Sequence, residues 1–157
     1  MRAKVRYSTY SIILTVIALA VLVAACVITD NNMTFYILFS VTFLLLFFAA
    51  QNAPIRIDAD PEKVSVRSLT RGHDIKLRDI ESVELFQPTM GTYRLCGSGG
   101  FMGYWGIFRE GDVGKYTAFY GRSSDCFMIR LKNGDKYVLG CQNPSQLVDY
   151  LRAHLPR

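Results

Sequence analysis

Charged residues are almost absent from the N-terminal part of the chain: between Tyr7 and Ile55 the only one is Asp30. A segment that is exposed to water normally carries charged residues, so this part of the chain is not an ordinary part of a soluble protein. From Arg56 onward, charged residues return at the frequency typical of a soluble domain. The sequence therefore divides into an apolar part, residues 1–54, and a soluble part, residues 55–157.

Residues that typically carry catalysis or bind metals are also scarce. The chain has only two histidines, and its four cysteines form no Cys-x-x-Cys pair, so the usual spacings of metal and redox sites are absent. No nucleophile elbow, Walker motif or complete dinucleotide-binding glycine motif occurs. Basic and acidic residues are interleaved in the soluble part, which is not the basic stripe of a nucleic-acid-binding protein. We predict a protein without catalytic activity, metal, cofactor or nucleic-acid partner, whose thiols are reduced and mostly buried.

Two apolar segments are long enough to cross a membrane as helices. We predict a two-helix transmembrane hairpin with spans at about residues 8–29 and 33–51, because such helices cover a hydrocarbon core of about 30 Å. A polar turn around Asp30 separates the spans. Pro54 ends the second one, since the residue before a proline disfavours the helical conformation. The basic tail that precedes the first span completes the N-terminal unit, residues 1–54.

Basic residues flank the hairpin on its outer ends but not at its turn. The flanking cations are Arg2, Lys4, Arg6, Arg56, Lys63 and Arg67. The positive-inside rule then places both termini in the cytoplasm, as in a multi-pass protein of the inner membrane. An alternative stays open: Val23–Cys26 resembles the end of a lipoprotein signal with Cys26 as the lipidated residue. That signal would place the soluble part outside the cytoplasm or invert its orientation.

The soluble part alternates short apolar–polar runs with turn signals and ends in a helical pattern. The predicted strands cover residues 55–58, 64–68, 75–77, 80–86, 115–120, 126–131 and 136–139, with turns at Arg71–Asp74 and Asn133–Gly134. Asn143 and Pro144 are typical of a helix start. The following helix has one apolar face made of Leu147, Val148, Leu151 and Leu155. These patterns predict an all-β domain with one C-terminal packing helix.

Between Arg94 and Arg109, glycines alternate with aromatic residues. The segment reads RLCGSGGFMGYWGIFR, and GKYTAFY follows at 114–120. Together with the strand series and the C-terminal helix, these stretches resemble the signature region of bacterial pleckstrin-homology-like domains, over about residues 55–157. The resemblance implies a partly open β-barrel of about seven strands capped by the C-terminal α-helix. It also implies a binding or scaffolding role without catalysis, in a family often attached to transmembrane helices.

Two interpretations of this glycine-aromatic segment stay open. In the first, the glycines permit a tight, twisted connection and the aromatic rings fill the core. In the second, the segment is an exposed loop that places Tyr104 and Trp105 at the lipid interface, where amphipathic rings are favoured. The candidate binding residues of the segment are Phe101, Tyr104, Trp105, Arg94 and Arg109.

A second candidate site consists of Lys63, Lys76 and Arg78, which match the loose basic pattern with which eukaryotic relatives of this fold bind lipid head groups. The opposing interpretation is a solvated surface of mixed charge, because Asp74 and Asp79 lie beside these cations.

The predicted function is a membrane-anchored binding or scaffold module that meets the lipid bilayer and a protein partner at the cytoplasmic membrane face. One alternative is a small accessory subunit whose hairpin packs against a larger membrane complex. Another is a membrane-bound enzyme whose catalytic residues form no linear motif.

Overall fold

The computed structural model describes residues 1–89 and 91–155, and these contain three α-helices and ten β-strands. The helices are α1 Thr9–Ile28, α2 Asn32–Asn52 and α3 Pro144–His154. The strands are β1 Arg2–Lys4, β2 Arg56–Ala59, β3 Lys63–Arg67, β4 Gly72–Lys76, β5 Ile80–Leu85, β6 Tyr93–Gly100, β7 Gly103–Glu110, β8 Gly114–Tyr120, β9 Cys126–Leu131 and β10 Lys136–Gly140. The final two positions of the predicted 55–157 domain lie outside the described residues.

The two N-terminal helices begin where polar side chains cap them. Ser8 Oγ accepts a hydrogen bond from the N–H of Ser11 across 3.1 Å, and Asn31 Oδ1 accepts one from the N–H of Met33 across 2.9 Å. The bounds of α1 and α2 agree with the predicted spans at 8–29 and 33–51 to within one residue. Both helices are long and apolar enough to cross a membrane, judged by length and composition.

Two sheets and α3 enclose the main hydrophobic core. The antiparallel sheet has the order β1-β2-β3-β4, and the larger sheet has the order β5-β9-β10-β8-β7-β6, with β8 and β10 parallel. α3 buries Leu147, Val148 and Leu151 against this core, and Leu155 is partly buried beside them, so the predicted apolar face is correct. The sheets do not close on each other. The predicted partly open barrel with a helical cap is confirmed, with ten strands because β1, β6 and β7 join the seven predicted ones.

The N-terminal tail is a strand rather than a free basic segment. β1 pairs with β2, so that Ala3 lies opposite Ile57. The N–H of Val5 donates to the carbonyl of Ile55 across 3.0 Å, and the N–H of Gln142 donates to the carbonyl of Lys4 across 2.9 Å. Residues on both sides of the helical pair therefore meet in one sheet.

Local turn chemistry was predicted correctly at one hairpin and wrongly at another. Gly134 has the positive φ of 90° that the Asn133–Gly134 turn predicts. The turn predicted at Arg71–Asp74 instead lies at Ser68–Arg71, where the N–H of Ser68 donates to the carbonyl of Arg71 across 2.9 Å, because Gly72 onward pairs with β3. Asn143 occupies the N-cap of α3 but adopts a left-handed conformation, and its side chain makes no capping hydrogen bond.

Candidate functional site

The glycine-aromatic segment forms a long antiparallel hairpin. It is neither a short twisted connection between strands nor an exposed loop. β6 and β7 pair along their length, and Phe101 with Met102 forms the tip. Gly97 and Gly106 lie opposite each other with φ of 110° and 119°. A Cβ atom on Gly97 would stand 2.1 Å from the Trp105 carbonyl oxygen. Glycine is thus required here by backbone conformation and by space.

Alternation along β7 directs its two central aromatic residues to opposite faces of the sheet. Trp105 is buried and packs on Ala49 and Ala53 at the end of α2. Its ring meets that of Phe48 edge-on, with centroids 5.8 Å apart. The indole therefore joins the β-domain to the second helix, and Trp105 is a packing residue.

The hairpin tip leans against α1. The N–H of Met102 donates to Thr15 Oγ1 across 2.9 Å, and a Cβ on Gly100 would stand 3.0 Å from Leu14. Phe101 and Met102 are partly buried in the cluster that contains Trp105. This hairpin therefore contacts both apolar helices.

An aromatic groove of about 760 Å³ lies on the other face of the hairpin. Tyr104 and Tyr120 stack at its base with ring centroids 4.8 Å apart. The Arg94 guanidinium lies over Gly99, where an added Cβ would approach it to 3.3 Å. Burial raises the pKa of both tyrosines above the ordinary value, so their hydroxyls stay protonated and can donate hydrogen bonds. The groove combines flat apolar rings with one cation and several hydroxyls.

Glu110 holds the segment that covers this groove. Its carboxylate is buried and accepts hydrogen bonds from Thr89 Oγ1 at 2.5 Å and from Thr92 Oγ1 at 3.0 Å. A buried carboxylate with several donors is stable in place and fixes its partners. The groove wall formed by residues 87–89 and 92 is thereby tied to β7.

The structure separates the five predicted residues of the hairpin into three locations. Arg94 and Tyr104 line the aromatic groove. Phe101 and Trp105 belong to the contact with the helices. Arg109 is exposed near the far end of β7, opposite Tyr93, and joins neither group.

The three predicted head-group residues do come together, in an open pocket of about 510 Å³ with His154. Lys63 lies opposite Lys76 in the β3–β4 pair. Lys63 Nζ, however, donates to Asp74 Oδ2 across 2.8 Å, and this hydrogen bond lowers the pKa of the Asp74 carboxyl. Arg78 lies 3.7 Å from Asp79. Two of the three cations are thus already paired with carboxylates.

A third cluster was not predicted from the sequence: four arginines around an open groove of about 660 Å³. They are Arg2, Arg56, Arg67 and Arg71. Asp58 lies among three of them, with N–O distances of 3.3 Å to Arg56, 3.9 Å to Arg67 and 4.0 Å to Arg2. Arg56 and Arg67 are register partners in the β2–β3 pair, and both strands were predicted from the sequence. The position of Arg2 depends on β1, a strand that was not predicted.

Cysteines and histidines do not assemble into a site. All four cysteines are free; Cys96 is exposed, whereas Cys126 and Cys141 are buried. His73 is exposed on β4, with its ring 5.2 Å from that of Tyr137 and 5.8 Å from that of Phe119. Within residues 1–89 and 91–155, no three His, Cys, Asp or Glu side chains lie close enough to hold a metal ion.

Comparison with known proteins agrees with the architecture. The family model of the bacterial PH domain matches residues 55–155, which run from the end of α2 through α3. No curated protein and no solved structure matches the chain. The matched region contains the glycine-aromatic hairpin, the capping helix and every strand of both sheets other than β1. The chain belongs to the bacterial PH domain family.

Proposed function

We propose that the chain is a membrane-anchored binding module without catalytic activity, held by α1 and α2 in the inner membrane with its PH domain at the cytoplasmic face. The observation that carries this proposal is the exposure of the two helices. Apolar side chains project from them on all sides; Val27 is 78% and Leu44 is 63% exposed. Contiguous apolar surface of this extent requires an apolar surrounding. A bilayer supplies it, since helices of 20 and 21 residues span about 30 Å.

The positions of basic residues support the cytoplasmic orientation. Because β1 pairs with β2, the segments before α1 and after α2 lie on one side of the helical pair. That side carries the four arginines of the groove and Lys4, whereas Thr29–Asn31, which joins the helices, has no basic residue. Positive charge next to membrane helices favours the cytoplasmic side.

The hairpin tip lies at the depth of the membrane interface in this arrangement. Thr15, which accepts from Met102, is six residues beyond the start of α1, or about 9 Å along the axis. Phe101 and Met102 would then lie among the lipid head groups and upper acyl chains. The predicted interfacial role of this segment is therefore proposed for the tip, and not for Tyr104 or Trp105.

The aromatic groove with Arg94 and Tyr104 is the surface that we assign to a protein partner. Stacked tyrosines and an arginine beside hydroxyl groups are the residue types that dominate protein interfaces. The groove lies on the face of β7 opposite to Trp105 and its contact with α2, and its Tyr104 lies beside Ser11 and Tyr10 of α1.

Labelling of Cys96 tests the anchoring and the orientation. Cys96 is the exposed thiol of the domain, while Cys126 and Cys141 are buried and Cys26 lies within α1. A membrane-impermeant maleimide should label the full chain in inside-out vesicles but not in intact spheroplasts, and Cys96→Ser should abolish the signal. Labelling of intact spheroplasts would contradict the cytoplasmic orientation and favour the lipoprotein alternative at Cys26.

Photo-crosslinking distinguishes the binding module from the accessory subunit. A crosslinking residue at Ser123, which lines the groove, should give a discrete adduct in cells, and Arg94→Ala with Tyr104→Ala should remove that adduct. A crosslinking residue at Gly111, in the exposed β7–β8 turn, is the control and should give none. Adducts from Phe43 in α2 but none from Ser123 would instead favour an accessory subunit that packs through its helices.

A further inference from the structure

The arginine groove lies where α2 joins the PH domain. The N–H of Ile55 donates to the carbonyl of Arg67 across 2.8 Å, and Thr70 Oγ1 donates to Gln51 Oε1 in the last turn of α2. The groove is therefore adjacent to the end of the proposed second span. Leu69 and Ile55, at its rim, are 63% and 46% exposed, which is unusual for apolar side chains beside four arginines.

Positive charge in this groove exceeds what its own carboxylates neutralise. Four arginines face two aspartates, Asp58 and Asp60, which leaves two positive charges uncompensated. Asp58 approaches three guanidinium groups at 3.3 to 4.0 Å, but its Oδ1 is buried without a hydrogen-bond partner. The carboxylate approaches all three guanidinium groups at their Nε atoms and leaves the terminal nitrogens unpaired with it. Each guanidinium has five N–H groups, so most of them are available to an anion.

The arrangement also fixes one arginine in space. Arg67 lies across Gly72, its register partner in the β3–β4 pair. A Cβ atom at that glycine would stand 2.4 Å from an Arg67 terminal nitrogen. The missing side chain thus leaves room for the Arg67 guanidinium beside β4 at the edge of the groove.

The lysine pocket with Lys63 and Lys76 lacks this relation to the helices. It lies at the opposite end of β3 from Arg67, about 13 Å farther along the strand. Lys63 is also paired with Asp74, as described above. Of the two basic surfaces, the arginine groove is the one that adjoins α2.

We propose that the arginine groove binds the phosphate of an anionic phospholipid in the membrane that holds α1 and α2. The proposal rests on the proposed membrane anchoring. Guanidinium groups bind phosphate oxygens in bidentate fashion, and the exposed Leu69 and Ile55 side chains contact the acyl region beside the head group. Free inorganic phosphate shares the recognition chemistry but not the apolar contact.

The test uses the full chain in zwitterionic detergent micelles and measures its thermal unfolding midpoint as short-chain phospholipids are added. An anionic phospholipid should raise the midpoint, whereas a zwitterionic phospholipid with the same chains and inorganic phosphate at the same concentration should raise it much less. Arg67→Gln with Arg71→Gln should weaken the apparent affinity about tenfold or more. Lys63→Gln with Lys76→Gln removes the same charge from the same sheet and should leave the affinity unchanged.

Three results would overturn the proposal. If both double variants lost the same amount of affinity for the anionic phospholipid, binding would depend on the overall positive charge of the sheet and not on the arginine groove. An equal shift with inorganic phosphate would make free phosphate the ligand. No shift with the anionic lipid would exclude the site. If the arginine double variant does not fold, Arg67→Lys, which keeps the charge but not the bidentate donor geometry, should still weaken binding. Because the micelle titration does not depend on orientation, its failure is distinguishable from failure of the Cys96 labelling test.

Discussion

The N–H of Met102 donates to Thr15 Oγ1 across 2.9 Å, joining the tip of the β6–β7 hairpin to the second turn of α1. The Thr15 hydroxyl in turn donates to the carbonyl of Ser11 across 2.7 Å. In the same hairpin, Trp105 packs on Ala49 and Ala53 at the end of α2. One hairpin therefore contacts both helices, and the PH domain is braced against them rather than tethered by a flexible linker.

Replacement of Thr15 by valine tests this brace. The change keeps the shape of the side chain but leaves the Met102 N–H without its acceptor, so we expect a loss of about 1–3 kcal/mol in the free energy of unfolding. Thermal unfolding of the full chain in detergent measures it. Thr29→Val is the matched control, because Thr29 Oγ1 donates only within its own helix, to Ala25. Similar losses in both variants would contradict a special role for the Thr15 contact.

Trp105 emission reports the contact with α2. Since the side chain is 8% exposed, the full chain should show blue-shifted emission that iodide quenches weakly. Tyr93 is 73% exposed, so Tyr93→Trp in a Trp105→Phe background should emit at longer wavelength and be quenched strongly. Strong quenching of Trp105 itself would mean that the domain separates from α2 in solution.

The parts of the fold that the sequence predicts well are those determined by local chemistry or strong periodicity. The absence of charge between Tyr7 and Ile55 located both apolar helices, and Ser8 and Asn31 cap them within one residue of the predicted bounds. The i, i+4 apolar repeat likewise located the face of α3 with Leu147 and Leu151. These signals depend only on neighbours along the chain.

The features that were missed depend on partners far apart in the chain. β1 alternates two basic residues around Ala3 and becomes a strand only because the β2 edge is available to pair with it. The arginine groove was missed for the same reason, since Arg2 meets Asp58 only through that pairing. The glycine-aromatic segment was not predicted as two strands because its glycines are poor strand formers, and the approach of Gly97 to Gly106 has no signal within either strand.

The C-terminal helix provides a further stability prediction. Leu151 is fully buried in the main core, whereas Gln146 is exposed on the same helix. Leu151→Ala should therefore lower the free energy of unfolding by about 2–5 kcal/mol, and Gln146→Ala should change it by less than about 0.5 kcal/mol. Denaturant unfolding of the full chain in detergent compares the two. A cost at Gln146 equal to that at Leu151 would contradict the assigned face.

The buried thiols predict how stability depends on alkaline pH. Burial raises the pKa of Cys141 to about 12, from an ordinary value of 9.0, and it also raises the pKa of Cys126. Between those two values the folded chain holds protons that the unfolded chain releases, so stability should fall as pH rises through this range. Cys141→Ala should flatten the decline, measured by unfolding at a series of pH values. Cys96→Ala, at the exposed thiol, should leave the decline unchanged. An unchanged slope in Cys141→Ala would show that the Cys141 thiol does not cause the decline.

The glycine pair of the hairpin gives the sharpest test of its geometry. At Gly97 an alanine must adopt a φ of about 110° and place its Cβ 2.1 Å from a backbone oxygen of β7, and backbone cannot move aside as a flexible side chain can. We expect Gly97→Ala to cost at least about 2 kcal/mol in the free energy of unfolding and to weaken the Trp105 contact with α2. Gly111, in the β7–β8 turn, has no atom within 4 Å of a Cβ position, so Gly111→Ala should be neutral or slightly stabilising. Unfolding midpoints, together with Trp105 quenching, measure both effects. If Gly97→Ala retained the stability and the shielded emission of the parent chain, the close approach of β6 to β7 would not be the structure that holds the hairpin against the helices.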